Sequence, residues 1–235
     1  MERLSTGIIE LDDLIEGYPK GKSILISGNA GTGKTILALH FLTTCCKNGM
    51  KCLYIATEET PEDLKIQASS LNWNLEEYEK KGLLKIVRVL EQRSIETEFA
   101  VSAQLKESQK DLIHLTDEVT KEIDVVVIDN IGVFAIGMSV EQIRDQLDTL
   151  IFRLCELGCT SILICDEATG KMTNDIAMYS VYGAIELLRR DNPYTGERER
   201  VIDIIKMRST KTPIDYILYN ITNEGIKLQS QEVTV

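Results

Sequence analysis

Eight consecutive residues constrain this chain more than any others. Gly28-Asn29-Ala30-Gly31-Thr32-Gly33-Lys34-Thr35 matches GxxxxGK[ST] in full. The run before it, Ser23-Ile24-Leu25-Ile26-Ser27, has the make-up of a buried strand, and residues 34–46 keep helical spacing with few polar positions. Strand, tight loop and helix must therefore follow one another. Glycines let such a loop wrap so that successive backbone N–H groups point inward. The positive end of the next helix turns toward the same point. The result is a cradle for the phosphates of ATP or ADP. Lys34 is placed to reach the β- and γ-phosphates, and the Thr35 hydroxyl is placed to serve Mg²⁺.

The rest of the chain repeats this grammar. Residues 51–56, 83–89, 123–129 and 160–165 read as strands. Residues 61–71 and 139–157 read as helices, the first with Pro61 in its opening turn and the second with a Ser139/Gln142 capping box. Residues 96–121 look helical, in one or two pieces. Alternation of this kind predicts an α/β fold with a mostly parallel sheet covered on both faces. After residue 183 the pattern changes to strands over 184–189, 200–206 and 215–221 with no helix between them. These should add antiparallel strands to one sheet edge. No linker divides the chain, so one domain over residues 1–235 is expected.

Val125-Val126-Val127-Ile128-Asp129 is an apolar strand ending in a carboxylate. In proteins with such a phosphate loop, that Asp holds Mg²⁺ from the next-but-one strand. Glu58-Glu59 follows the strand at 51–56, at the end where ligands sit in parallel sheets. A carboxylate there can orient and deprotonate a water, or simply cap the next helix.

Composition narrows the setting. The chain has 235 residues, 43% hydrophobic and 27% charged, which is ordinary globular usage and enough for a core. Its formal charge of −11 works against non-specific attraction to nucleic acid, without excluding a local basic site. The apolar runs are too short to span a bilayer. Met1 to Thr6 lacks the pattern of a signal peptide. Cys45, Cys46, Cys52, Cys155, Cys159 and Cys165 form no CxxC pair, so reduced thiols in a cytoplasmic protein are expected. His40 and His114 lack metal-ligand spacing, and Trp73 and Tyr78 sit among acids rather than lysines.

These features, with three further motifs, resemble the KaiC-like branch of the RecA/RadA ATPase superfamily in its archaeal single-domain form. The resemblance runs from Leu4 to Leu228. It rests on Leu4-Ser5-Thr6-Gly7-Ile8 with Leu11-Asp12, on Thr57-Glu58-Glu59-Thr60, and above all on Lys206-Met207-Arg208-Ser209-Thr210 followed by Ile221-Thr222-Asn223-Glu224-Gly225-Ile226. It implies that Glu58 and Glu59 are the water-activating pair. It also implies that active sites lie between subunits of a homo-oligomer, a hexameric ring, with Lys206 and Arg208 reaching the neighbour's γ-phosphate. A role in signalling or regulation through a protein partner follows from the same likeness.

The chain departs from that pattern at several points. Glu16-Gly17 replaces a Gly pair before Pro19, Asn130 follows the Asp129 strand, Tyr182 replaces an Asp, and Thr212 stands where clock members carry His. Tyr179-Ser180 holds the place of an adjacent Ser–Thr phosphorylation pair, so Ser180 and Thr210 are the hydroxyls to test for autokinase activity. A recombinase-like accessory ATPase binding single-stranded DNA is the alternative, through Arg189, Arg190, Arg198 and Arg200. Glu197 and Glu199 interleave with these arginines and favour a solvated hairpin instead. Residues 171–175, a mobile DNA-binding loop in recombinases, are short and near neutral here. An ATP-dependent assembly switch is the third reading.

Overall fold

The computed structural model describes residues 1–89, 112–166 and 170–229. A short bridge pairs β1 (Arg3–Leu4) with β2 (Tyr18–Pro19) around helix α1 (Ile9–Ile15). Then come β3 (Ser23–Gly28), α2 (Lys34–Lys47), β4 (Cys52–Ala56), α3 (Pro61–Ser70), α4 (Leu75–Lys80) and β5 (Leu84–Arg88). The central part holds β6 (Val125–Asp129), α5 (Gly132–Ala135), α6 (Val140–Glu156), β7 (Thr160–Asp166) and α7 (Lys171–Ser180). Four strands close the chain: β8 (Gly183–Asp191), β9 (Arg198–Met207), β10 (Ile217–Thr222) and β11 (Gly225–Leu228).

Nine strands make one sheet in the order β11-β10-β9-β8-β3-β7-β6-β4-β5. Successive side chains of a strand point to opposite faces, and the core follows that rule. Ile24, Ile26, Tyr54, Val125, Val127 and Ile162 pack with Leu11, Leu37, Phe41 and Leu64 from α1, α2 and α3. The intervening Leu25, Leu53, Ile55, Val126, Ile128 and Leu163 pack with Ile143, Leu147, Leu150 and Leu154 of α6. Burying each such side chain stabilises the fold by roughly 1.5–3 kcal/mol before the entropy of ordering it is subtracted. Both faces are therefore dry, which explains why these strands are continuous apolar runs.

The helix starts are set by side chains. Thr60 accepts a hydrogen bond from the Asp63 N–H at 3.1 Å, with Pro61 opening α3. Ser139 accepts from the Gln142 N–H at 3.3 Å, and Gln142 Oε1 accepts from the Ser139 N–H at 2.8 Å, the expected capping box. Glu16, where a Gly pair would be usual, ends α1 with φ 61°.

Two expectations need correction. The strand read at 184–189 is β8, which pairs parallel to β3 on one side and antiparallel to β9 on the other, so the antiparallel pairings of this sheet begin at β8–β9 and run on through β10 to β11. The reason is α7, a crossover helix that takes in residues 171–175, expected as a short loop, and continues to Ser180. Its fully buried residues are Thr173, Asn174 and Ala177, and Ile176 and Met178 are only partly buried, so its inward face reads as largely polar in sequence. Most of the helix expected over 96–121 falls outside the described residues. Its described end, Leu112–Glu118, is a 3₁₀ segment that buries Leu112 and Leu115 in the α6 side of the core. No helix among the described residues is long and apolar enough to cross a membrane.

Candidate functional site

The parallel strands deliver their C-terminal residues to one edge of the sheet. Gly28 stands level with Asp166 on β7, and Ala56 stands level with Asp129 on β6. β6 is next-but-one to β3, the position expected for Asp129. From Gly28 the chain turns through Asn29, Ala30, Gly31 and Thr32 into α2, whose N-cap is Gly33 at φ 99°.

Close contacts dictate the glycines. Gly28 has φ 137°, and a Cβ there would lie 2.1 Å from the Leu187 carbonyl oxygen of β8. Backbone cannot yield that far, so only Gly fits. The loop is also held from outside. The Arg189 guanidinium donates to the Gly31 carbonyl, and the Tyr219 hydroxyl donates to the Thr32 carbonyl.

Lys34 is 7% exposed, and its Nζ is held at three oxygens. It donates to Gly28 O at 2.8 Å and Asn29 O at 3.0 Å, and pairs with Asp166 Oδ2 at 3.0 Å. Asp166 was not singled out from sequence. The signal was there, because Ile162-Leu163-Ile164-Cys165-Asp166 is an apolar strand ending in Asp, as β6 is.

Asp129 Oδ2 accepts two hydroxyls, Thr35 Oγ1 at 2.7 Å and the Tyr54 OH at 2.7 Å. Burial raises the Asp129 carboxyl above the usual range, while the bonds from Tyr54 and Thr35 and the charge of Lys34 pull it back. Burial and the Asp129 charge raise the Tyr54 phenol well above its ordinary value, so it stays a donor. Behind Asp129, Asn130 exchanges bonds with Thr57: its N–H donates to Thr57 Oγ1 at 2.7 Å, and its carbonyl accepts from that hydroxyl at 2.9 Å. Asn130 Nδ2 reaches Glu58 Oε2 at 3.4 Å.

Glu58 and Glu59 border the same cavity as Gly31, Lys34, Thr35 and Asp129, a space of about 290 Å³. Partial burial raises the Glu59 carboxyl, helped by the charges of Asp129, Asp63 and Glu58. The cavity wall also carries Gln67, whose buried Oε1 has no partner, and Ile221 of β10.

Lys206 and Arg208 are elsewhere. Gly28 aligns with Leu187 and Ile202, whereas Ile24 aligns with Gly183 and Met207. Both cations therefore sit at the opposite end of the strands from their own phosphate loop. β9 takes three steps from Asp203 to Lys206 where β8 takes two from Ala184 to Glu186, a bulge that re-aims the strand just before Lys206. Lys206 Nζ donates to Tyr179 O at 3.2 Å, and burial, then the Arg208 charge, lowers its pKa. Arg208 is exposed. Arg3 ties the following residues down by donating to Ser209 O at 3.3 Å and to Thr210 Oγ1.

Three of the four hairpin arginines have polar partners, whereas the buried Nε of Arg200 has no hydrogen-bond partner. Arg198 pairs with Asp191 and Arg190 with Glu199, each at 3.6 Å, while Arg189 turns to the phosphate loop. Trp73 is buried against His40, with ring centroids 5.0 Å apart. Ser180 donates to Asp148 Oδ1 at 2.6 Å. The six cysteines are free thiols, all buried except Cys155.

The family model for the ATPase KaiC matches residues 4–233. The chain belongs to the KaiC family. Its KaiC-type domain carries the family's ATP-binding, RecA-like α/β fold. The circadian clock protein KaiC2 of Synechocystis is 46% identical over 86 residues, which is 36% of this chain but 15% of that protein. A UPF0273 protein of Methanopyrus kandleri is 28% identical over all of this chain and 95% of its own length. Among solved structures, a KaiC-like protein of Pyrococcus horikoshii OT3 superposes with a TM-score of 0.76 at 26% identity, covering 97% of this chain and 99% of that one.

Proposed function

We propose that this KaiC-family chain binds ATP with Mg²⁺ at the phosphate loop and hydrolyses it, as a subunit whose site is completed by a second copy. The observation that carries the reading is convergence. Lys34, Thr35, Asp129, Glu58 and Glu59 come from three separate segments and border one cavity of about 290 Å³.

The residues fit Mg²⁺ in kind. Thr35 and Asp129 are hard oxygen donors already linked at 2.7 Å. Among the described residues no cluster of three His, Cys, Asp or Glu could cage a metal alone. That suits Mg²⁺, which is held by one or two side chains together with phosphates. When bound, the cation would neutralise charge on the β- and γ-phosphates.

The loop N–H groups and Lys34 would hold the phosphates. Glu58, steadied by Asn130, would orient a water so that its oxygen attacks the γ-phosphorus. The bond to the bridging oxygen breaks, ADP leaves, and the water's proton passes to the carboxylate. Glu59, with its raised carboxyl, would back up that proton acceptor. Lys206 and Arg208 sit at the far end of the sheet from this site, which supports their use on a neighbour's γ-phosphate. The family likeness favours a ring of six and a regulatory role with a protein partner.

The test is ATP hydrolysis against protein concentration, with particle mass measured alongside. Specific activity should rise as a larger species forms. Constant activity from a monomer would overturn the shared site, and ATP binding without turnover at any concentration would replace hydrolysis with an assembly switch.

A further inference from the structure

We propose that Tyr54 is a positioning residue for the nucleotide's divalent cation, acting through Asp129 and Thr35. The inference rests on the reading above that those two residues serve the cation. Tyr54 is 1% exposed in the middle of β4, and its ring packs in the core on the α2 side of the sheet. A phenylalanine would fill that place equally well, so packing does not explain the hydroxyl. The hydroxyl opens on a small chamber of about 40 Å³, walled also by Thr35, Glu58, Glu59 and Asp129. There it donates to Asp129 Oδ2 at 2.7 Å, the same oxygen that takes the Thr35 proton at 2.7 Å.

Two donors on one oxygen hold the carboxylate against rotation. A hydroxyl has one proton and two lone pairs. With its proton committed to a fixed Oδ2, Thr35 Oγ1 must turn its lone pairs elsewhere, which is the orientation a cation ligand needs. Removing the Tyr54 hydroxyl leaves Oδ2 with one donor, and both Asp129 and Thr35 gain freedom to rotate. Partners that orient metal ligands typically change metal affinity by about 10–100-fold when lost.

The experiment is a Mn²⁺ titration of the ADP-bound full chain, followed by electron paramagnetic resonance. It compares wild type, Tyr54→Phe, Asp129→Asn and the double variant. Tyr54→Phe should weaken Mn²⁺ binding about 10–100-fold. Its ADP affinity in EDTA should equal that of wild type, and it should add nothing in the Asp129→Asn background. Wild-type Mn²⁺ affinity in Tyr54→Phe, with weakened affinity in Asp129→Asn, overturns the role of Tyr54 alone. Unchanged affinity in Asp129→Asn overturns the underlying assignment of the cation and this inference with it. If Tyr54→Phe does not fold, ¹³Cζ-tyrosine spectra of the wild type decide. At least one of the eight tyrosine signals should move when Mg²⁺ joins the ADP complex, and no movement overturns the proposal.

Discussion

Mixing two impaired variants separates a site completed within one chain from a site completed between chains. Arg208→Ala keeps its phosphate loop, and Lys34→Ala keeps its far-end cations. The strand register gives the distance at stake. Gly28 is level with Leu187 and Ile24 with Gly183, and Gly183 is level with Met207. Those four residues of strand span about 13 Å at ~3.3 Å per residue. Arg208 lies one residue further from the loop, beyond the reach of its own side chain. An arginine acting on the transferring phosphoryl group accelerates the reaction by about 10³–10⁵-fold, so each variant alone should lose at least ~10² in turnover.

In a one-to-one mixture with head-to-tail contacts, about one interface in four would join an intact loop to an intact Arg208, restoring roughly a quarter of the wild-type rate. Phosphate release is the assay, with native mass spectrometry confirming that the two variants assemble together. Mixed assemblies that stay as slow as either parent would refute the argument, as would wild-type turnover in Arg208→Ala.

Two smaller perturbations test the fold. Ser139→Ala removes the α6 capping box and should lower stability by about 1 kcal/mol in urea unfolding, without touching ADP affinity. An unchanged midpoint would mean that the cap contributes nothing. Asp203→Asn probes burial of a carboxyl on β9. Burial raises the Asp203 pKa above its unfolded value. Its stabilising contribution is therefore present below the unfolded pKa and lost as pH rises through the folded one. The amide should raise the melting temperature at neutral pH and give no gain in acid, and an equal gain at both would remove the electrostatic explanation.

Much of the molecule was legible in advance because its signals are local. The strand, loop and helix from Ser23 to Lys47, the Asp129 strand and the α6 cap each declare themselves within a few residues. What was hidden depends on partners distant in sequence. Tyr54 looks like any aromatic in a strand until β6 brings Asp129 beside it. Asp166 matters only because β7 lies next to β3. The α7 helix escaped because its buried face carries Thr173 and Asn174 rather than leucines. Missing it concealed the crossover that makes β8 parallel. Arg189 looked like part of a basic hairpin, and only the sheet register shows it lying over the phosphate loop.

The ladder through β9 has a mechanical meaning. A hydrogen-bonded strand is stiff along its length, so a push at one end arrives at the other. β9 starts with Arg198 near the strand end that carries the subunit's own loop and finishes beside Lys206 and Arg208. If those cations serve the next copy, each subunit is a strut between two consecutive sites. That strut is not uniform, because its ladder misses a step at the bulge between Asp203 and Lys206. Bending at that joint, rather than any stretch of the strand, is where one site's occupancy would be felt by the next.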